Sequence, residues 1–185
     1  MGKRIYIIRH CKAEGQEFDA QLTDEGHKQA QQLRDLFSTI EVDRIISSPY
    51  RRAVQSIKPL SETKRVEIET DSRLEERNLS SKQLTDWLEK LESTFLNMDL
   101  TFEGGESSRE ATERVVQLME ECEADEMEES IIVVTHGNLM ALLLNHFLHD
   151  FGFEGWKGLS NPDVYLLQIN EDRAEVERVW NNRWI

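Results

Sequence analysis

Apolar residues along this chain fall alternately into short runs and helical stripes, and that alternation predicts a fold class. Arg4 to Arg9 encloses the run Ile-Tyr-Ile-Ile, rich in β-branched and aromatic residues, as in a strand covered on both faces. Thr23 then offers a cap to a helix whose first turn carries Asp24 and Glu25, with Ala30, Leu33, Phe37 and Ile40 at helical spacing. Val42 to Ser47 predicts a second strand. Ser48-Pro49 follows as an N-cap hydroxyl and first-turn proline, which puts Arg51 and Arg52 in a helix's opening turn. Val66 to Glu69 reads as a third strand, and Leu74 to Arg77 as a connection. Ser80 to Glu92 predicts an amphipathic helix through Leu84, Trp87, Leu88 and Leu91, introduced by Ser80-x-x-Gln83 as a capping box. Gly104-Gly105 breaks the chain before a second such box, Ser107-x-x-Glu110, and the stripe Ala111, Val115, Leu118, Met119, Cys122. Ile131 to Thr135 is the most clearly buried strand; it stops at His136-Gly137, before the apolar helix Leu139 to Leu148. Val164 to Ile169 and Ala174 to Trp180 flank Asn170 to Arg173 as a terminal hairpin.

Strands alternating with helices argue for an α/β layered fold around a largely parallel sheet. A chain of 185 residues, without internal repeat or linker-like tract, is expected to form a single domain over 1–185. The segment around 79–103 reads as a lid-like insertion. With 22 basic against 36 acidic residues the net charge is −14, a field that disfavours DNA or RNA, whose binding depends on neutralising phosphates. No apolar window reaches a membrane span's length, and the four apolar residues after Lys3-Arg4 are too few for a secretory signal. A cytoplasmic location without a membrane partner is therefore expected. Cys11 and Cys122 make neither a disulfide framework nor a zinc motif.

Three strand ends carry unusual chemistry: Arg9-His10, Ser48-Pro49-Tyr50-Arg51-Arg52, and His136-Gly137. In a parallel sheet all three face the carboxyl edge, where open α/β sheets bind ligands. Guanidiniums, imidazoles and helix N-termini together suit a phosphate dianion. The overall negative charge is screened within about 8 Å at physiological ionic strength, so local charge decides. His10, flanked by arginine, is positioned to attack phosphorus through one ring nitrogen while a backbone carbonyl holds the other.

These fragments resemble the histidine phosphatase superfamily, with its phosphoglycerate mutase-like fold. Ile8-Arg9-His10 is similar to the family's Arg-His-Gly signature. Leu22-Thr23-x-x-Gly26, Ser47-Ser48-Pro49-x-x-Arg52-Ala53-x-Gln55-Ser56, Leu74-x-Glu76, Gly104-Gly105-Glu106-Ser107 and Thr135-His136-Gly137 follow in family order over roughly residues 5–148. The resemblance implies a three-layer sandwich, His10 as the nucleophile that becomes phosphohistidine, and Arg9, Arg52 and His136 as the phosphate pocket. It implies Glu76 as the acid that protonates the leaving oxygen and then activates water. Gln16 stands where many members have a phosphate-touching Asn. Cys11 replaces the signature glycine, Lys12-Ala13 replaces the usual Glu-Thr or Glu-Ser, and Asn78 to Lys82 replaces a Gly-x-Trp-Glu-Gly stretch, so substrate choice is the property most open to change.

Blander readings compete at single positions. His10 alone suits a structural histidine at a strand end, Ser107 an N-cap, Arg51 and His27 a solvated surface, and the acidic stretch from Glu120 to Glu129 a solvated helix end. His146 and His149 lie three apart on one helix, but the sequence places no third metal ligand beside them, so no metal is expected. A cysteine-phosphatase reading of Cys11 fails because the arginine that mechanism needs six positions on is Glu17; Cys11 remains either a redox-sensitive neighbour of the site or an inert buried thiol. The expected activity is hydrolysis of a small phosphate ester through phosphohistidine, without cofactor. The alternatives are a phosphoglycerate mutase, which passes the phosphoryl group to a second hydroxyl, and a non-catalytic protein that binds a phosphate ester or phosphate ion.

Overall fold

The computed structural model describes residues 2–170 and 173–180. Six strands form one sheet: β1 (Lys3–Arg9), β2 (Arg44–Ser47), β3 (Ile68–Thr70), β4 (Ser130–Thr135), β5 (Asp163–Asn170) and β6 (Arg173–Arg178), in the order β3-β2-β4-β1-β5-β6. The first four run parallel, while β5 pairs antiparallel with β1 and with β6.

Alternation along the strands separates two cores. Ile5 and Ile7 of β1, with Ile131 and Val133 of β4, pack against α4 (Ser108–Ala124) and α5 (Gly137–Leu148). Tyr6 and Ile8, with Ile132 and Val134, turn to the opposite face, onto Leu33, Phe37, Ile57 and Leu60. The helices on that face are α1 (Asp24–Leu36) and α2 (Arg51–Lys64). A period of two in the strands thus produces the expected three layers. All six residues of β4 are buried, as the continuous apolar run requires.

Two caps form as expected: Thr23 accepts the Gly26 N–H, and Ser107 and Glu110 make a reciprocal capping box. Two do not. Helix α2 begins at Arg51 with Tyr50 as N-cap, and Ser48 Oγ accepts the Tyr50 N–H one turn too early to cap it. Helix α3 spans Trp87–Leu96, not 80–92. Ser80 instead accepts the Lys82 N–H and donates to the Glu103 carbonyl, to which Ser81 also donates through N–H and hydroxyl. Serines bind nearby backbone readily, and here a contact across the loop prevails over the helix start. The third strand lies at Ile68–Thr70, two residues on from its expected start. The terminal hairpin pairs Asn170 with Arg173; Glu171 and Asp172 lie outside the described residues. A short α6 (Phe153–Lys157) and a 3-10 turn at Ser72–Leu74 carry no signal that the hydrophobic pattern revealed. No helix of the described residues is long and apolar enough to cross a membrane.

Candidate active site

Strands β2, β4 and β1 are neighbours and parallel, so Ser48, His136 and His10, each just past a strand end, share one edge of the sheet. His10 is 5% exposed, and its Nδ1 lies 2.7 Å from the Cys11 carbonyl. A carbonyl only accepts, so Nδ1 carries the proton and Nε2 keeps its lone pair. Arg52 Nε donates to that Nε2 at 3.2 Å. Arg52 Nη2 meets His136 Nδ1 at 3.1 Å, so the second imidazole holds its proton on Nε2 and donates it to Ser48 Oγ at 2.8 Å. The two rings stand 5.0 Å apart. The side chain Arg52, 1% exposed, is further held by the Gln16 and Glu17 carbonyls and by the Tyr50 ring beneath its guanidinium. Ser48 thus acts as the partner of His136 and not as a helix cap.

Arg9 Nη1 donates to the Leu159 and Ser160 carbonyls, while its buried Nε has no partner. An orphaned guanidinium N–H beside two neutral imidazoles marks a place for an anion. Gly137 leaves room for that guanidinium, since a Cβ would stand 3.0 Å from it and make the arginine shift. Glu76 sits where α5 begins: Oε1 accepts the Arg77 and Leu139 N–H groups, and Oε2 the Asn138 N–H. The amide donors of a helix's first turn, which have no partner within the helix, thereby fix the carboxylate next to His136-Gly137.

Electrostatics follow from burial. Desolvation, with Arg52 and Arg9 nearby and opposed by the Cys11 carbonyl bond, pushes the His10 imidazole down to about 3. His136 is held well below its ordinary value by desolvation first, then by His10 and the arginines. Desolvation also lowers Arg9 and Arg52, with Glu76 opposing it in both. The pocket therefore sets two guanidiniums around two uncharged rings, an arrangement that suits an anion. Only the Cys11 backbone carbonyl serves the site: the side chain is fully buried in the core against α1 and α2, the backbone N–H donates to Ser56 Oγ, and burial pushes the thiol up to about 12. Burial and a raised thiol value weigh toward the inert reading of this cysteine over the redox-sensitive one.

Five side chains singled out in the sequence converge on this edge: Arg9, His10, Arg52, Glu76 and His136. Gln16 joins them at the rim of both flanking cavities, where its backbone carbonyl is what holds Arg52. His27, His146 and His149 are exposed; His149 ends α5 in a left-handed conformation, its N–H on the Asn145 carbonyl. Among the described residues, no cluster of three or more His, Cys, Asp or Glu could hold a metal. Four residues escaped the sequence reading. Asn138, a polar residue opening an apolar helix, could have been noticed. Arg114, Glu106's salt-bridge partner, and Arg77 and Trp156, which line the cavities, gave no local signal.

Compared with known proteins, residues 5–182 match the sequence profile described as the histidine phosphatase superfamily (branch 1). The chain belongs to that superfamily. This histidine phosphatase is 26% identical over 189 residues to Phosphoserine phosphatase 1 of Hydrogenobacter thermophilus, covering 94% of this chain and 90% of that one. It is 28% identical over 167 residues to Probable phosphoglycerate mutase GpmB of Proteus mirabilis, covering 78% and 74%. Its fold matches the solved structure of Bacillus stearothermophilus YhfR with a TM-score of 0.80 at 18% identity, over 98% of both chains. Family and relatives make it an enzyme of the metal-independent phosphatase class.

Proposed function

We propose that this histidine phosphatase hydrolyses small phosphate monoesters with His10 as the covalent nucleophile. The observation that carries this reading is the lone pair on His10 Nε2, oriented by the Nδ1–H bond to Cys11 and enclosed by Arg52, His136 and Arg9. A phosphate arriving there takes over the donors that Arg52 now directs at the rings and gains the free Nε–H of Arg9. Nε2 attacks phosphorus in line, the N–P bond forms as the ester P–O bond breaks, and the equatorial oxygens stay within the guanidinium and imidazole donors. Glu76 supplies the proton to the departing alkoxide. Its Oε2 accepts a single backbone bond, so that oxygen retains the capacity to carry it. Glu76 then takes a proton from water, which attacks phosphorus and releases His10.

The segment 79–103, with Leu79, Trp87 and Leu91 lining the cleft, serves as its lid. A phosphate ester or phosphate ion is the partner in a cytosolic setting, and the acidic surface argues against nucleic acid. The same phosphohistidine in a mutase would pass to a second hydroxyl. Hydrolysis is favoured because the phosphatase relative covers nearly the whole chain, whereas the mutase relative leaves about a fifth unmatched. The test is acid-quench trapping without added metal: an acid-labile, base-stable phosphoryl adduct on His10, steady phosphate release, and loss of both in His10→Ala, by about three orders of magnitude or more in rate. Tight phosphate binding without turnover would instead leave a non-catalytic binder; isomerisation of phosphoglycerate without phosphate release would make it a mutase.

A further inference from the structure

The phosphate pocket opens on two cavities that share Gln16, Glu76 and Arg77 and differ in character. The first, about 600 Å3, is lined by Glu75, Glu106, Arg114, Tyr50 and Ser72. Its cations are already committed. Arg114 grips Glu106 with Nε and Nη2 and the Arg73 and Glu75 carbonyls with Nη1 and Nη2; Arg77 gives all three nitrogens to the Glu106 carbonyl and Thr94. Desolvation further lowers Arg77 from its ordinary value. Arg52 also lines this cavity, held by the two imidazoles and the Gln16 and Glu17 carbonyls, so Glu75, Glu76 and Glu106 place three carboxylates among three guanidiniums that already have partners. A second anionic group on a substrate would meet carboxylates there and no guanidinium left without a partner.

The second cavity, about 480 Å3, lies within the roughly 300–1,000 Å3 usual for small-molecule sites. Its floor is Arg9, Gly137 and Asn138; its walls are Leu79, Leu91, Trp87 and Trp156. The indoles meet edge to face at 6.3 Å, and Trp87 is 49% exposed although it faces a cleft. Asn138 is 7% exposed, and neither its Oδ1 nor its Nδ2 has a hydrogen-bond partner. An uncharged amide without a partner, beneath an aromatic wall, suits a neutral ligand group that reaches it once the side chain turns.

We propose that the organic half of the substrate is uncharged and carries a ring, seated against Trp87 and Trp156 with a neutral hydroxyl or ring heteroatom on Asn138, and that esters bearing a carboxylate close to the phosphate are poor substrates. The inference rests on the phosphatase reading and specifies its substrate class. Trp87 and Trp156 then determine selectivity, whereas Arg9, Arg52 and His136 are indifferent to it. The chemistry is unchanged: the alkoxide leaves with the proton from Glu76, whatever group it bears.

The test compares esters whose leaving groups are all alkoxides, so that leaving-group chemistry does not mimic recognition: 2-phenylethyl phosphate, glycerol 3-phosphate, O-phosphoserine and 3-phosphoglycerate. The expected result is a kcat/KM for the phenylethyl ester at least about tenfold above each of the others, mainly through KM. In Trp87→Ala and Trp156→Ala that ratio falls several-fold, and Trp87→Phe restores most of it, which separates a lost wall from a lost fold. Preference for O-phosphoserine or 3-phosphoglycerate, with the His10 adduct still trapped, overturns this inference and leaves the phosphatase reading intact. An unchanged ratio in both alanine variants also overturns it. No phosphate release from any ester and no adduct overturns both.

Discussion

The phosphate pocket and the roof above it are built on opposite terms. In the pocket, His10, Arg52 and His136 are at most 5% exposed, and each of their ring and guanidinium nitrogens is aimed by a backbone carbonyl, a hydroxyl or a neighbouring side chain of the three. In the roof, Trp87 and Leu88 stand 49% and 44% exposed, and α3 is moored chiefly through Leu91 and Thr94. The pocket is set for one tetrahedral anion. The roof presents apolar surface and few fixed donors, a surface that binds by shape. On the proposed reading, chemistry sits on strand ends that cannot shift without unpacking two cores, and selection on a segment that can be rebuilt without disturbing them. Leu79 to Lys82, most of the Asn78 to Lys82 stretch where the sequence departs from the family, lies in the roof, while Arg9, His10, Arg52, Glu76 and His136 are kept despite Cys11 and Lys12-Ala13 beside them.

Substituting Arg52 tests the comparison most severely. Arg52→Ala removes the donors to both imidazoles, and kcat is expected to fall about 10²- to 10³-fold for every ester, ring-bearing or not, the scale of losing an oxyanion donor. Steady-state kinetics across the ester panel checks it; a loss confined to one ester would move Arg52 from chemistry to selection.

Acid comes next. His10 has a folded value near 3 against about 6.5 when unfolded, so between these values the unfolded chain holds a proton that the folded chain excludes. Stability present above pH 6.5 is therefore lost as pH falls toward 3, with a slope of up to about 1.4 kcal/mol per pH unit from His10, and His136 adds in the same direction. Urea unfolding at stepped pH measures the slope, and imidazole NMR should show neither ring titrating between pH 8 and 5. A ring that titrates near 6.5 in the free enzyme would show the pocket to be wetter than its burial implies. Bound phosphate is expected to raise both values, because it supplies the missing negative charge.

The smallest effect concerns the mooring of the roof. Thr94→Val leaves the buried Arg77 Nη1 without its 2.7 Å partner, at a cost of about 1–3 kcal/mol of stability. A rise in KM with kcat retained is expected, because Arg77 joins α3 to the Gly104-Gly105-Glu106 loop and does not touch the reacting atoms. An equal fall in kcat would mean that pocket and roof are one unit.

The strands, α1, α4 and α5 and the identity of the pocket were legible in the sequence, because each rests on short-range information. Period two or 3.6 marks a face, Thr23 and the Ser107–Glu110 box mark helix starts, and strand ends followed by His or Arg mark one sheet edge once the sheet is parallel. Where α3 begins, what Ser48 does and how deeply Cys11 is buried were decided by tertiary contacts: Ser81 on Glu103, His136 on Ser48, and a core layer that closes over the thiol. So were the direction of Arg9, set by carbonyls 150 and 151 residues away, and the commitment of Arg77 and Arg114 that leaves the polar cavity without a free cation. Local patterns fix which face of an element is buried and where it starts. Which polar atom is satisfied, and by whom, depends on partners that only the closed fold brings within 3 Å, and at this site it is the unsatisfied ones that define the ligand.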